Sequence, residues 1–276
     1  MSNPRILITG ASGFVGTQIT KLLISQQKDL VLVTRRKDAF QEIESKGIIT
    51  IVQSDNIFSE NKNWWKKHLI DIDIVIHLAW YVEPNKYLNS EKNIECLSGS
   101  LTLAKAATEM DIKKFVGIGT CFEYDLNYGL LQLDTPLKAD SLYSSAKIST
   151  YLMLSELFKD FAISFLWCRL FYLFGEGEHK SRLIPYIHEK IKSGDPVELT
   201  SGNQIRDYMD VREAAELILS YTFSEYSGAA NICSGKPTSV RQIAETIADK
   251  YNRRDLLKFG IRKDNNIDPP FITGKR

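Results

Sequence analysis

Arg5-Ile6-Leu7-Ile8-Thr9, running into Gly10-Ala11-Ser12-Gly13-Phe14-Val15-Gly16, decides the fold of this chain. The first five residues form a short apolar run that stops at a glycine, as a strand buried on both faces does. From about residue 13 to 25 the period changes, and Val15, Ile19, Leu22 and Leu23 fall on one helical face. Glycines in the turn between them let the backbone bend sharply, approach a pyrophosphate closely and pack helix on strand. The helix N-terminus then offers N–H groups to the phosphate. The spacing is G-x-x-G-x-x-G, and three glycines alone also suit a purely structural turn. The position directly after the first strand is what points to a dinucleotide.

Working outward, strand-like runs recur at 30–33, 47–52, 73–78, 114–118 and 163–168, with helical patterns between them, clearest at 98–110 and 144–158. This rhythm predicts an α/β fold, a Rossmann-type doubly wound parallel sheet. Beyond about residue 175 the rhythm loosens, with shorter helices near 181–193, 211–223 and 239–251. We read residues 1–174 as a dinucleotide-binding domain carrying the catalytic residues, and 175–276 as a small C-terminal substrate-binding lobe with some chain crossing back to the sheet. The last dozen residues, with Asn265-Asn266 and Pro269-Pro270, look irregular.

A net charge of +1 offers no strong field to nucleic acid or to an anionic membrane, so neither is expected as a partner. No apolar run approaches the length of a membrane span. Met1 to Arg5 leads directly into the first strand with no targeting pattern, so a cytoplasmic protein is expected. Cys96, Cys121, Cys168 and Cys233 lack metal-ligand or C-x-x-C spacing, so free thiols and no metal are expected.

The second strand ends Val33-Thr34-Arg35-Arg36. An NAD site usually carries an acidic residue there for the ribose 2′-hydroxyl, whereas arginines suit the 2′-phosphate of NADP. Two adjacent arginines also occur in a plain solvated loop, but this location is the one the chemistry requires. Farther on, Tyr143-Ser144-Ser145-Ala146-Lys147 opens a helix, so Tyr143 and Lys147 share a face. A phenol has a reference pKa of about 10, and a neighbouring ammonium is expected to favour its phenolate. Thr120, closing the fifth strand, could donate a hydrogen bond to a substrate carbonyl beside Tyr143.

The chain resembles the extended short-chain dehydrogenase/reductases that act on nucleotide sugars. The resemblance rests on Gly10, Gly13 and Gly16; Asp55; His77-Leu78-Ala79; Thr120; Tyr143 and Lys147; Arg169 through Gly175; Arg206-Asp207-Tyr208-Met209-Asp210; and Asn231 through Gly235, in family order over almost the whole chain. It implies that Ser12, Phe14 and Val15 join the glycines at the cofactor, that Asp55 binds the adenine, and that Leu78 and Ala79 line the cofactor cleft. Tyr143 would be the acid/base, with Lys147 also holding the nicotinamide ribose. Arg206 and Arg182 would meet the diphosphate of the sugar nucleotide, although Arg182 also reads as a surface arginine. His77 reads as a structural end-of-strand residue. A homodimer built from the helices at 98–110 and 144–158 is a further implication.

Departures from the pattern narrow the reaction. The 4,6-dehydratases place Asp-Glu directly after the threonine, whereas Cys121 and Phe122 stand here, and neither can supply that acid and base. The 4-epimerases keep NAD and generally end the second strand with an acidic residue, unlike Arg35-Arg36. The resemblance therefore implies an NADPH-dependent reductase of a nucleotide-linked 4-keto-6-deoxyhexose, as in bacterial deoxysugar synthesis for surface polysaccharide. A 4-epimerase with bound NAD and a non-catalytic dinucleotide sensor are the alternatives. Around the sugar, Tyr172 and Trp80 either narrow the pocket or simply pack. Glu123 either binds a sugar hydroxyl or is a solvated loop carboxylate. Cys121 either touches substrate or is a buried inert thiol.

Overall fold

The computed structural model describes residues 3–36, 40, 49–264 and 269–276. In chain order it contains β1 (Arg5–Thr9), α1 (Phe14–Ser25), β2 (Asp29–Thr34), β3 (Ile49–Gln53), α2 (Lys62–His68), β4 (Ile74–His77), α3 (Lys92–Ala107) and β5 (Lys114–Thr120). There follow β6 (Leu130–Leu131), α4 (Leu142–Leu157), β7 (Ser164–Leu170), β8 (Tyr172–Phe174), α5 (Leu183–Ser193), β9 (Val197–Glu198) and β10 (Ile205–Asp210). The chain closes with α6 (Val211–Thr222), β11 (Gly228–Ile232), β12 (Pro237–Ser239), α7 (Val240–Asp249), β13 (Leu257–Lys258) and β14 (Phe271–Gly274). Residues 47–48 of the expected third strand, and Asn265-Asn266, lie outside the described residues.

Seven parallel strands form the main sheet in the order β11-β7-β5-β4-β1-β2-β3. It is a Rossmann-type doubly wound sheet. Alternation along each strand feeds two cores. Ile6, Ile8, Leu30, Leu32 and Ile76 pack with Ile19 and Leu23 of α1 and with Ala214 and Ile218 of α6. Leu7, Val31, Val75 and Phe115 pack on the opposite face with Trp65 of α2, Leu103 of α3 and Leu154 of α4. Burial of both faces explains why these strands read as continuous apolar runs. The strand order reverses at β1 and β4, and the crevice beyond their C-terminal ends is where such sheets take ligands.

A smaller lobe packs α5, α7, β9 and β13 around Ile187, Ile191, Val197 and Ala244. A second sheet, β12-β10-β14-β6, carries β8 beside β10. Three features differ from the sequence expectation. The main sheet has a seventh strand, β11, beyond the six read from the sequence, and it belongs to the chain expected to cross back to the sheet. Helix α3 starts at Lys92, six residues before the apolar stripe that marked it. The C-terminal segment is also not wholly irregular, since Phe271–Gly274 runs between β10 and β6. Buried Asp207 holds it there, accepting from Thr273 Oγ1 at 3.3 Å and Gly274 N at 3.1 Å. No described helix is long and apolar enough to cross a membrane.

Candidate active site

The glycine turn is shaped for close approach. Gly10 has φ +70°, and a Cβ there would lie 2.8 Å from the Ala79 nitrogen. A Cβ on Gly16 would lie 2.1 Å from the Gly10 oxygen, so helix α1 can meet the turn only through glycine. Gly13 caps α1 without any side-chain bond, and the first turn holds no acidic residue. The positive end of a twelve-residue helix therefore faces the turn without a protein anion. Ser12 Oγ lies 3.4 Å from Thr34 Oγ1. Phe14 and Val15 are half-buried, and Gly177 lies against the Phe14 ring. Arg35 and Arg36 are exposed just past β2, and no carboxylate forms a salt bridge with either among the described residues. Asp55 is exposed just past β3. A cradle that a Cβ would fill and a helix N-terminus without a protein anion fit a dinucleotide cofactor.

His77 ends β4 and is buried. Its Nδ1 lies 2.7 Å from Thr9 Oγ1 and its Nε2 2.8 Å from Ser100 Oγ. Ser100 gives its own proton to the Cys96 carbonyl, so Nε2–H must donate to Ser100 and Nδ1 must accept from Thr9. Thr9 Oγ1 in turn accepts from the Ala79 nitrogen at 3.3 Å. This chain of bonds ties β1, β4 and α3 together and places Leu78 and Ala79 beside Gly10. Burial, followed by repulsion from Lys147, lowers the imidazole to about 3, so it stays neutral. Both nitrogens are committed to structure.

Thr120, Tyr143 and Lys147 converge at the C-terminal end of β5. Ser141 caps α4 in a reciprocal box with Ser144, which starts the helix just before Tyr143. Tyr143, Lys147, Thr150 and Leu154 form its buried stripe. The Tyr143 ring meets Tyr87 edge-on at 4.8 Å. Burial raises the phenol well above its ordinary value, Tyr87 adds to this, and a hydrogen bond with Thr120 opposes it. This differs from the expectation that Lys147 would favour the phenolate. The Lys147 ammonium instead donates to the Ile118 carbonyl at 2.6 Å and sits 3.6 Å from the Trp80 ring centroid. Burial lowers its proton affinity, while Glu123 and then Cys96 oppose that fall. Trp80 thus packs over the lysine, and its Nε1 donates to Asn93 at 2.9 Å.

The expectation for Glu123 is corrected on both counts. It is neither a solvated loop carboxylate nor open to a sugar, being fully buried. Its oxygens accept from Thr120 N at 2.7 Å, Arg169 Nε at 2.7 Å and Trp167 Nε1 at 3.0 and 3.1 Å. Thr120 and Glu123 form a capping box around a single 3₁₀ turn. Cys121 points into an apolar cluster with Tyr124, Leu131 and Phe171, and burial pushes its thiol far up, which leaves it no acid/base use. The T-x-x-E pattern of residues 120–123 is the sequence signal that could have placed Glu123 beneath Thr120.

Across the crevice, β8 and β10 run parallel and bring Tyr172 opposite Tyr208. Tyr172 packs edge-on against Phe122 at 6.2 Å, and Arg206 lies 5.5 Å over its ring. Arg206 is buried, yet among the described residues it has no carboxylate partner. Its Nη1 donates to the Ile205 carbonyl at 2.8 Å. Arg182 is exposed at the start of α5. Burial lifts the Tyr208 phenol to about 12, with Arg206, Glu178 and Arg182 as its charged neighbours. No group of His, Cys, Asp and Glu among the described residues could hold a metal.

A doubly wound sheet, a glycine turn at its switch point and a Tyr–Lys pair on the helix after β5 define the extended short-chain dehydrogenase/reductases. Within them the chain belongs to the NAD dependent epimerase/dehydratase family, whose profile matches residues 6–231. It is 23% identical to dTDP-6-deoxy-L-talose 4-dehydrogenase (NAD(+)) of Aggregatibacter actinomycetemcomitans, over 98% of this chain and 99% of that protein. It is 24% identical to dTDP-4-dehydro-6-deoxyglucose reductase of Escherichia coli, over 98% of this chain and 89% of that one. The crystal structure of the dTDP-glucose 4,6-dehydratase DesIV of Streptomyces venezuelae, with NAD bound, superimposes with a TM-score of 0.84 at 16% identity, covering 98% of this chain and 88% of that one. At that identity the likeness is one of fold.

Proposed function

We propose that this protein reduces a nucleotide-linked 4-keto-6-deoxyhexose at C4 with NADPH. The observation that carries the reading is the grouping of Thr120, Tyr143 and Lys147 at the end of β5, followed by Cys121 and Phe122 where a dehydratase needs an acid and a base. Two relatives named for hydride transfer at C4 of dTDP-linked 6-deoxysugars support it. A 4-dehydrogenase and a 4-reductase differ only in the direction of transfer.

Bound along the glycine turn, NADPH supplies the hydride. Arg35 and Arg36 would pair with its 2′-phosphate, and the N-terminus of α1 would face the pyrophosphate. The Thr120 hydroxyl and the Tyr143 phenol address the C4 oxygen together. Because burial keeps Tyr143 protonated, it serves as the neutral donor that protonates the oxygen as hydride reaches the carbon. Lys147 beside it offsets the negative charge left on the phenolate until solvent returns the proton. Arg206, buried without a carboxylate, is the natural partner for the sugar-nucleotide diphosphate, with Arg182 at the rim.

The same helices supply a reading of assembly. Ile94 of α3 and Leu152 and Met153 of α4 are about half exposed on neighbouring helices, which supports pairing with a second copy through this face. The reaction is tested by offering dTDP-, CDP-, GDP- and UDP-linked 4-keto-6-deoxyhexoses with NADPH and following its absorbance. Oxidation with at least one of them is expected. Turnover of a nucleotide sugar with no added cofactor would replace this reading with a 4-epimerase. NADPH binding without any turnover would leave a dinucleotide sensor.

A further inference from the structure

The floor beneath Thr120 holds a buried charge that the proposed chemistry does not use directly. Glu123 and Arg169 are fully buried and paired at 2.7 Å. The site is built to accept them. A Cβ on Gly119 would lie 2.3 Å from Glu123 Oε1 and 2.3 Å from Trp167 Nε1, and one on Gly117 would lie 2.5 Å from the Trp167 ring. Arg169 also donates to the Tyr124 hydroxyl at 2.9 Å and stacks between the Tyr124 and Tyr151 rings. The Tyr124 hydroxyl donates a hydrogen bond to Asn231 Oδ1 at 2.8 Å. A buried ion pair is often matched or bettered in stability by apolar residues of similar volume, so stability alone is a poor reason for this arrangement.

Its location supplies a better one. Glu123 binds the backbone nitrogen of Thr120, and Trp167, which donates to Glu123, lies with its ring 5.8 Å from the Lys147 ammonium. We propose that Glu123 is a positioning residue for the proton-transfer group: it fixes Thr120 through the backbone and holds the Lys147 ammonium electrostatically across the Trp167 ring. The inference rests on the reading that Thr120, Tyr143 and Lys147 carry the proton transfer.

The titratable groups facing Lys147 are Tyr143 on its own helix, Cys96 from α3, His77 from β4 and Glu123 beside β5, with Arg169 of β7 behind Glu123 as its ion-pair partner. His77 is neutral, and burial holds the Tyr143 and Cys96 protons in place. Glu123 is therefore the charge that holds the Lys147 proton against burial, and Arg169 is the counter-ion of that carboxylate. Two substitutions must then act in opposite directions. Glu123→Gln leaves the Arg169 cation uncompensated, so Lys147 loses its proton at lower pH. Arg169→Gln leaves the carboxylate uncompensated, so Lys147 keeps its proton to higher pH.

The test follows the Lys147 side-chain nitrogen by NMR in the free protein, alongside the pH dependence of kcat. We expect the Lys147 titration to move down by about one pH unit in Glu123→Gln and up by about the same in Arg169→Gln, roughly tenfold in proton affinity each way. Arg169→Lys should restore the wild-type titration. Coincident titrations in wild type, Glu123→Gln and Arg169→Gln overturn the inference, because a merely structural role lowers activity without moving Lys147 in opposite senses. If the titrations move and the pH–rate profile does not, the inference stands and the place of Lys147 in the chemistry falls. Should either variant fail to fold, the direction given by the other decides.

Discussion

Two arginines are buried near the site and differ in one respect. Arg169, beneath Thr120, is satisfied by Glu123 and by the Tyr124 hydroxyl. Arg206, on the lobe side, has its neighbour's carbonyl, an aromatic ring and no carboxylate among the described residues. A charge whose partners are all protein builds the site. A charge buried without an anion leaves room for one from the ligand, because burial of an uncompensated guanidinium is otherwise costly.

The sharpest way to break this comparison is to exchange each arginine for methionine and read stability and binding separately. Arg169→Met strands a buried carboxylate and should cost about 3–5 kcal/mol of stability, seen as a lower Tm. Arg206→Met should leave Tm unchanged or raised while weakening nucleotide-sugar binding about 10- to 100-fold, with NADPH binding retained. Equal stability losses in both would show that Arg206 is a structural cation too.

A second test compares this internal charge with the exposed pair at the cofactor end. Replacing Arg35 by Asp and Arg36 by Ser should move the kcat/KM preference from NADPH toward NADH by about 10- to 100-fold. An unmoved preference would reduce the two arginines to a solvated loop.

The last expected effect is confined to acid pH and concerns His77, a buried base that is kept neutral. Its folded value of about 3 lies below the ordinary 6.5, so the unfolded chain takes up a proton that the native one refuses. The stability this contributes is complete above about pH 6.5 and is lost as the pH falls toward 3, by at most about 1.4 kcal/mol per pH unit. Thermal melts of wild type should therefore decline more steeply between pH 6.5 and 4 than those of His77→Asn. Parallel declines would mean that His77 titrates normally.

Much of the fold is legible in the sequence because local pattern and tertiary burial agree in the first half. The run at residues 5–9 needs no partner to read as a strand, and the glycines that follow it are forced by contacts within one turn. The start of helix α3 is not legible because Lys92, Asn93 and Glu95 carry its first turns with little apolar stripe. Strand β14 leaves little trace in the sequence because only four residues form it, directly after two prolines, and what holds it is Asp207, far away in the chain. At the site, Thr120, Tyr143 and Lys147 could be picked out by spacing and resemblance. The role of Glu123 could not, since the residue that makes its burial tolerable lies 46 positions later on another strand. The capping-box spacing was visible, but the depth at which it is buried is a property of the packed sheet.

The central claim is that Tyr143 hands a proton to the C4 oxygen as hydride arrives at the carbon. The direct measurement is single-turnover NADPH oxidation by Tyr143→Phe with the best keto sugar of the nucleotide panel, alongside NADPH binding by the same variant. The account predicts a rate lower by roughly 10²- to 10⁴-fold with cofactor affinity unchanged. A rate equal to that of wild type would contradict it.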